Sequence, residues 1–438
     1  KSFACALVHE RIRAGGTIMA ETPRVLRPDR AQLELRPTDL ESLLPEDHRA
    51  RSVWEFVSGL DLSPWYDAIR SVEGEAGRPA IDPAVLLSLW IYATLEGVGS
   101  ARAVARLCER HDAYRWICGG VAVSYRTLAA FRVAHEEKLD ALLTESVVQL
   151  VDAGLVQLDR IAQDGMRVRA SAGAASFRRR TRLRELEREV RRRVESLRRE
   201  LEDDPAAFSR REKAARERAA RDRQRRVRQA LAKVRELGRE KPAEQEKVRA
   251  STTDPEARVM KMADGGFRPA YNVQLATEAT SQVVVGVEVT SAGSDMQQLV
   301  PMLDQIRRRY GRLPREALVD GGFTSLDAID AADAQGCRLY APPMKPRDAE
   351  RNPYRPLPGD RPSVARWRRR MGTASAKRKY KDRAATAECA NAQARNRGLW
   401  QFLVRGRSRV RSVSLLYALA HNAMRGLALK RAWMEAPA

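Results

Sequence analysis

The chain has 438 residues, a length that allows two or three domains with a sizeable core. Its 43% hydrophobic residues favour a globular fold, and its net charge of +23 indicates a polyanionic partner. No stretch reaches the ~18–20 apolar residues that span a bilayer, which argues against a membrane-spanning helix. The five cysteines form no CxxC pair and the five histidines no HExxH motif. We therefore expect a reducing cytosol and no zinc site.

The N-terminal residues 1–18 precede the first methionine, Met19, and lack the long apolar core of a secretory signal. We interpret them as a disordered upstream extension. A helical DNA-binding region is then predicted over residues 19–154. Its segment "IDPAVLLSLWIYATLEG" has Pro83 in the first turn and Gly97 at the end, as is typical of a helix.

The next two segments of this region each predict one helix: "SARAVARLCERHDAYRWICGG", with Ser100 as N-cap, and "SYRTLAAFRVAHEEKLDALLTESVVQLVDAGL", with Ser124 as N-cap. The succession resembles a helix-turn-helix, whose last helix would turn Tyr125, Arg126 and Arg132 toward DNA. An ordinary helical bundle is the alternative interpretation.

Residues 155–177 contain the first predicted core strand. The segment "LVQLDRIAQDGMRVRA" alternates apolar and polar residues, and we expect its strand to end at Asp164-Gly165. Residues 178–250 then carry 27 Lys and Arg against 15 Asp and Glu, a surplus of 12 positive charges. Apolar residues at spacings of three and four from Leu183 to Leu201 predict a basic helical hairpin with a thin apolar seam. It could contact DNA, form a solvated coiled coil, or do both.

Residues 251–438 alternate strands and helices, which predicts the rest of an α/β core. The predicted strands are "YNVQLATEAT", "SQVVVGVEVTS", "REALVD" and "CRLYAPP". The predicted helices are "DMQQLVPMLDQIRRRYG", "TSLDAIDAADAQG", "KYKDRAATAECANAQARNRGL" and "SVSLLYALAHNAMRGLAL". We expect Ser294 or Asp295 to cap the first of these helices, and a Pro/Arg-rich loop to run from Pro342 to about Met371.

Three carboxylates stand on separate predicted elements. Asp164 and Asp320 end strands and are each followed by glycine, and Glu388 lies inside a late helix. Carboxylates that meet at strand ends can hold two divalent cations roughly 3.5–4 Å apart, as phosphodiester cleavage and strand transfer require, and their oxygens suit Mg²⁺ or Mn²⁺. The 57 acidic residues offer many other triples, so the pattern alone leaves open whether Asp320 is catalytic or an ordinary turn residue.

Four segments together resemble the DDE transposases of bacterial insertion sequences: "QDGMRVRASAGAASFRR", "YNVQLATEATSQVVVGVEVTSAGSDMQQLVPML", "ALVDGGF" and "ATAECANAQARNRGLWQFLVRG" with "SLLYALAHNAMR". The resemblance implies an α/β RNase H-like catalytic core, with a mixed sheet flanked by helices, behind an all-α N-terminal domain. The basic hairpin would be an insertion after the first core strand. The resemblance also implies that Asp164, Asp320 and Glu388 are the catalytic triad of a two-metal Mg²⁺ or Mn²⁺ site.

Related transposases carry a Tyr-x2-Arg-x3-Glu-x6-Lys pattern, which implies DNA contacts for Tyr380, Arg383 and Arg395 here. One extra residue separates Arg383 from Glu388, and Arg395 stands in place of the lysine. An arginine at that position can still bind a phosphate, because it lies two helical turns beyond Glu388 on the same face.

The implied function is binding to terminal inverted repeats, metal-dependent cleavage at the ends and strand transfer into target DNA. The expected partners are double-stranded DNA and a second copy of the chain, as a homodimer in the synaptic complex, with no membrane and no small-molecule substrate. The expected location is the cytoplasm, at the nucleoid. Two alternatives are a metal-dependent nuclease of the same fold without strand transfer and a catalytically inactive DNA-binding relic. Joining of a 3′-OH end to target DNA separates the nuclease from the transposase.

Overall fold

The structure is a computed structural model, and it describes residues 39–71, 78–203, 209–240, 242–344, 346 and 350–435. The extension predicted over residues 1–18 lies outside the described residues. From Leu40 onward, the chain forms one compact unit. Within the described ranges, no helix is long and apolar enough to cross a membrane.

Helices occupy the N-terminal part of the described chain, as the sequence predicts. They are α1 (Arg49–Ser58), α2 (Ser63–Tyr66), α3 (Pro83–Leu95), α4 (Ala101–Arg110), α5 (Asp112–Cys118), α6 (Tyr125–Ala134) and α7 (Glu136–Asp152). The predicted cap Ser100 accepts a hydrogen bond from the backbone N–H of Ala103, and Ser124 accepts one from Thr127. Both caps satisfy backbone donors that a helix start leaves unpaired.

Two of the predicted N-terminal helices are each interrupted at a histidine. His111 separates α4 from α5, and its Nδ1 accepts a hydrogen bond from the backbone N–H of Ala113. His135 separates α6 from α7 with a non-helical backbone (φ −128°, ψ 41°). Its ring packs on Trp65 and Phe131, with centroids 4.5 and 5.1 Å apart. The prediction of one long helix after Ser124 is therefore wrong, because side-chain packing at His135 outweighs helix propensity there.

The rest of the chain contains both strands and helices. They are β1 (Arg160–Arg169), β2 (Phe177–Arg179), α8 (Arg180–Asp203), α9 (Arg210–Glu240), β3 (Arg249–Ser251), β4 (Arg258–Lys261), β5 (Phe267–Glu278), β6 (Val284–Thr290), α10 (Leu299–Tyr310), β7 (Glu316–Leu318), α11 (Leu326–Ala334), β8 (Arg338–Tyr340), α12 (Pro362–Gly372), α13 (Ala374–Arg383), α14 (Cys389–Asn396) and α15 (Arg407–Met434). A π turn over Ala384–Glu388 lies between α13 and α14.

The central sheet is mixed. Strand β1 pairs antiparallel with β5 on one side and parallel with β7 on the other, and β7 pairs parallel with β8. Strand β5 also pairs antiparallel with β4 and β6. Val273 on β5 and Leu416 on α15 belong to the same buried apolar cluster as Leu87 on α3 and Leu139 on α7. The N-terminal helices therefore share a hydrophobic core with the sheet.

Three predicted features of this region differ from the structure. Strand β1 continues to Arg169, because it stays paired with β5 throughout, so the expectation that it ends at Asp164-Gly165 is wrong. Helix α12 lies inside the stretch predicted as a Pro/Arg-rich loop, and the side chain of Trp367 anchors it in the core. Helix α10 begins at Leu299 rather than at a cap formed by Ser294 or Asp295.

The basic segment forms two packed helices, α8 and α9. Leu183 of α8 forms a small buried cluster with Ala230, Leu231 and Val234 of α9. Strands β2 and β3 pair antiparallel at the base of the two helices, with Arg179 opposite Arg249. Exposed ion pairs such as Arg191–Glu195 cover the outside of α8, and pairs of this kind contribute little to stability.

Candidate active site

The register between β1 and β7 places two of the predicted acids side by side. The strands pair in parallel from Arg160 opposite Glu316 to Ala162 opposite Leu318. Asp164 and Asp320 each lie two residues beyond the last pair, and Asp320 keeps an extended backbone (φ −76°, ψ 172°). Because paired strands lie about 4.8 Å apart and side chains alternate with period two, both carboxylates lie on the same face.

Asp320 begins an Asp-Gly turn next to Asp164. Its Oδ1 accepts a hydrogen bond of 2.7 Å from the backbone N–H of Gly322, which caps a short 3₁₀ turn over Gly321–Phe323. The side chain is half-buried. The sequence left open whether Asp320 is an ordinary turn residue. It does belong to a turn, and that turn fixes its carboxylate at the end of β7.

Asp164 is held by one contact from its own strand and two from the late helices. Its Oδ1 accepts a hydrogen bond of 2.9 Å from the backbone N–H of Gly165, and its Oδ2 accepts one of 3.0 Å from Nδ2 of Asn391 on α14. The guanidinium of Arg383 lies 4.0 Å from Oδ1. Burial raises the pKa of Asp164 above its ordinary value, and the charges of Asp320 and Asp295 raise it further, against the lowering influence of Arg383.

Arg383 joins Asp164 to the third predicted acid, Glu388. Nη2 of Arg383 donates a hydrogen bond of 3.2 Å to Oε1 of Glu388, whose side chain is 58% exposed. The ring of Tyr380 lies 6.0 Å from the same guanidinium. Burial raises the pKa of Tyr380, against the lowering influence of Arg383. Arg383 thus contacts Asp164, Glu388 and Tyr380, and Asp164 lies beside Asp320 through the strand register.

Arg395, the remaining residue of the predicted pattern, lies on α14 two helical turns beyond Glu388. Its guanidinium lies 5.9 Å from the ring of Trp400, and this residue is 60% exposed. A cation and an exposed aromatic ring therefore lie together at the end of the helix that follows Glu388. Trp367 of α12, by contrast, is buried.

The predicted recognition helix α6 exposes part of its predicted DNA-binding surface. Tyr125 and Arg126 are exposed, and Nε of Arg126 donates to the hydroxyl of Tyr125 at 3.3 Å. Arg102 of α4, which sequence reasoning missed, lies 5.0 Å from the ring of Tyr125. These three residues form an exposed cluster of two cations around one aromatic ring.

Arg132 does not belong to this exposed cluster. Its side chain is buried, its Nη1 donates to the backbone carbonyl of Gly99, and its guanidinium lies 4.7 Å from the ring of Trp90. The prediction that Arg132 turns toward DNA with Tyr125 and Arg126 is therefore wrong. Two turns into α6, this side of the helix already faces the protein interior.

Family models match two parts of the chain. Residues 38–134 match a transposase domain (DUF772), and residues 246–423 match the transposase DDE domain. The chain belongs to the DDE transposases of insertion sequences. A search of curated proteins and a search of solved structures give no match. The DDE match implies an RNase H-like core for this transposase, which agrees with its mixed sheet and flanking helices.

The transposase has a further acid near Asp164 that sequence reasoning assigned to a helix cap. Oδ1 of Asp295 accepts hydrogen bonds of 2.6 Å from Asn272 and from Gln274, both on β5. A Cβ atom on Gly165 would lie 2.3 Å from that same oxygen. The glycine after Asp164 is thus required for this close approach and not for a turn, since β1 continues through it. A glycine inside an apolar, strand-like segment can indicate that another group approaches the backbone closely, and this was the sequence signal for the contact with Asp295.

DDE transposases generally use divalent metal ions, and part of the site fits such an ion. Asp164 and Asp320 offer hard oxygen ligands, and burial, the main cause of the raised pKa of Asp164, leaves its carboxylate poorly solvated, which a bound cation would offset. Glu388 instead faces Arg383. Among the described residues, no group of three His, Cys, Asp or Glu side chains is close enough to hold a metal ion. The paired aspartates therefore offer ligands that suit such an ion, whereas Glu388 is linked to Asp164 only through Arg383.

Proposed function

We propose that this transposase binds the terminal inverted repeats of its element, cleaves the DNA at these ends and transfers them into target DNA, with Mg²⁺ or Mn²⁺ as cofactor. The observation that supports this proposal most directly is the register that sets Asp164 beside Asp320. Arg383 lies between Asp164 and Glu388 and contacts both carboxylates.

Each side chain of the site has a separate task in this proposal. Asp164, Asp320 and Glu388 would hold the cations. Bound cations of this type activate the attacking hydroxyl or water and stabilise the leaving oxygen of a phosphodiester. Asn391 orients Asp164 through its hydrogen bond to Oδ2. Arg383 offsets the charges of Asp164 and Glu388, and its guanidinium is suited to the scissile phosphate.

The DNA itself would be bound over a wider surface. A net charge of +23 supports sequence-independent contacts to phosphates. The exposed residues Tyr125, Arg126 and Arg102 supply the side chains for reading bases, and Tyr380, Arg383 and Arg395 those for the strand near the acids. We further propose that two copies of the chain hold the two ends, as a homodimer, and that residues 178–250 act as an inserted basic hairpin.

The test of this proposal is a set of three single variants, Asp164→Asn, Asp320→Asn and Glu388→Gln, with Glu195→Gln on the exposed face of α8 as control. Each site variant should lose cleavage and strand transfer by about 10³-fold or more, because removal of a ligand takes away several kcal/mol of transition-state stabilisation. Binding to labelled ends should stay within about threefold in gel shifts with Ca²⁺ in place of Mg²⁺. The control should behave as the wild type does.

Two results would change the proposal. Near-normal cleavage by one of the three variants would remove that residue from the metal site. Cleavage by the wild type without joining of the 3′-OH end to target DNA would favour the nuclease alternative. A melting curve with and without Mg²⁺ adds a readout that does not depend on turnover, since a cation bound only by the folded state raises the melting temperature.

A further inference from the structure

The helix that carries Glu388 contains one residue more than an α-helix can place between Arg383 and Glu388. In an α-helix, side chains three or four positions apart are neighbours, whereas five positions correspond to about 500°, or about 140° beyond one full turn. Arg383 and Glu388 are five positions apart and nevertheless form a hydrogen bond of 3.2 Å. They do so because residues Ala384–Glu388 form a π turn, which takes up the additional residue.

The two helix residues that contact Asp164 show the same effect of the π turn over a longer stretch of the helix. Arg383 approaches Oδ1 at 4.0 Å from before the π turn, and Asn391 donates to Oδ2 at 3.0 Å from after it. These two residues are eight positions apart, which in an uninterrupted α-helix would separate them by about 80°. Without the additional residue they would be seven positions apart, within about 20° of two full turns. Both can therefore reach one carboxylate.

We propose that the π turn is a register-correcting element of the active site. With one residue absorbed, Arg383, Glu388, Asn391 and Arg395 follow one another at effective spacings of four, three and four, which places them on one face of the helix. The proposal rests on the catalytic role proposed above for Glu388. It assigns Asn391 as a positioning residue for Asp164, since Asn391 donates a hydrogen bond to that carboxylate.

Contacts from outside the helix hold the π turn in place. The side-chain hydroxyl of the buried Thr386 lies 3.4 Å from the backbone carbonyl of Ala279, which follows β5, and 2.8 Å from that of Asp382 in its own helix. Gln282, which has a left-handed backbone (φ +60°) in the turn between β5 and β6, donates from Nε2 to the carbonyl of Ala385 at 3.3 Å. The backbone carbonyl of Gln282 lies 2.7 Å from Nε2 of the buried His421. The turn is thus tied to the sheet and to α15.

A pair of changes to the length of the π turn tests this inference in the full chain. Deletion of Ala385, whose side chain is exposed, leaves Arg383 and Glu388 four positions apart and should produce a continuous α-helix with the same residues on one face. Insertion of one alanine after Ala385 separates the two residues by six positions and should turn Glu388 away. The two variants change the chain by one residue in opposite directions, so each serves as the control for the other.

The deletion variant should cleave element ends within about tenfold of the wild type and keep the rise in melting temperature with Mg²⁺. The insertion variant should bind the ends but lose both cleavage and this rise. Glu388→Gln should abolish cleavage in the wild-type and in the deletion background. A second deletion, of Thr386, gives the same spacing with a different sequence and covers the case in which loss of Ala385 alone impairs folding.

The inference is overturned if both deletion variants lose cleavage while Glu388→Gln shows that the wild type needs Glu388. It is also overturned if both fail to fold, or if the insertion variant cleaves normally. If Glu388→Gln itself leaves cleavage of the wild type intact, the proposed catalytic role of Glu388 fails instead. The two failures are therefore distinguishable.

Discussion

The guanidinium of Arg383 lies 3.2 Å from the carboxylate of Glu388 and 4.0 Å from that of Asp164. One guanidinium thus lies beside two carboxylates. That of Asp164 is mostly buried, and that of Glu388 is 58% exposed. Its Nη1 is buried and has no hydrogen-bond partner among the described residues. Such a group is stabilised mainly by the charges beside it, so we expect the guanidinium and a divalent cation to compete for the same two carboxylates.

Arg383→Gln tests this competition. Without a divalent cation, the variant should unfold more easily by about 1–3 kcal/mol, because Asp164 no longer has the positive charge beside it. With Mg²⁺ or Mn²⁺ the variant should gain more in melting temperature than the wild type does, since the cation then replaces the missing guanidinium. Denaturation in EDTA and in Mg²⁺ measures both effects.

The control is Arg191→Gln, which removes an exposed ion pair on α8 and should change stability by less than about 0.5 kcal/mol. Equal metal-induced shifts in wild type and Arg383→Gln would contradict the competition.

The close approach at Gly165 allows a second prediction. Gly165→Ala would place a Cβ atom 2.3 Å from Oδ1 of Asp295 and 2.5 Å from Nε2 of Gln274. The strand or the cluster must shift, which should cost about 1–3 kcal/mol of stability and displace Asp164 enough to reduce cleavage by at least tenfold. Gly173→Ala is the matched control, because Gly173 has an ordinary backbone (φ −84°) and the described residues leave open space within 4 Å of the new methyl group. If both variants fold and cleave alike, the cluster at Asp295 does not position Asp164.

Five of the six strands of the central sheet could be predicted from the sequence, because apolar runs determine them, whereas the short β4 was missed. The run that ends at Asp320 is such a case, and β7 and its turn lie where it predicts. Asp164-Gly165 looks the same in sequence, yet β1 continues through it. The difference depends on contacts with β5 and Asp295, which lie far along the chain, and no local pattern contains that information.

Two other features depend on tertiary structure in the same way. The π turn at Ala384–Glu388 appears in the sequence only as one residue too many between Arg383 and Glu388. The hydrogen bond from Gln282, which lies far away along the chain, stabilises the π turn that accommodates this additional residue. The resemblance to a helix-turn-helix predicts that Arg132 faces DNA, but its long side chain reaches the ring of Trp90 and the carbonyl of Gly99. Charge alone does not determine which side of α6 faces the solvent.

Arg126 and Arg132 should therefore behave differently when each is replaced by alanine. Arg126→Ala should weaken binding to the element's ends by about 1–3 kcal/mol, with much less effect on random DNA, as expected for a side chain that reads a groove. Arg132→Ala should leave base discrimination unchanged and lower the free energy of unfolding by about 1–3 kcal/mol, because it removes a buried hydrogen bond and a cation–π interaction. Gel-shift titrations with cognate and scrambled ends, together with denaturation curves, measure both. Equal losses on both DNAs for Arg126→Ala would limit α6 to non-specific binding or assembly.

The pairing of β2 with β3 allows the basic helices to be removed without disturbing the sheet. Arg179 lies opposite Arg249, so an Asn-Gly turn can replace residues 180–248 and close a short hairpin. The deletion removes 24 Lys and Arg against 15 Asp and Glu, which lowers the net charge by nine.

If α8 and α9 bind DNA through its phosphates, the affinity of the shortened chain should fall for cognate and random DNA alike. The plot of log K against log salt should also become shallower, by about 0.9 for each phosphate that the shortened chain no longer neutralises. The melting temperature and the Mg²⁺-dependent cleavage of end DNA at saturating concentration should change little, because the three acids lie outside the deleted segment. An unchanged salt slope with loss of multimers in sedimentation would instead show that α8 and α9 join copies of the chain to one another.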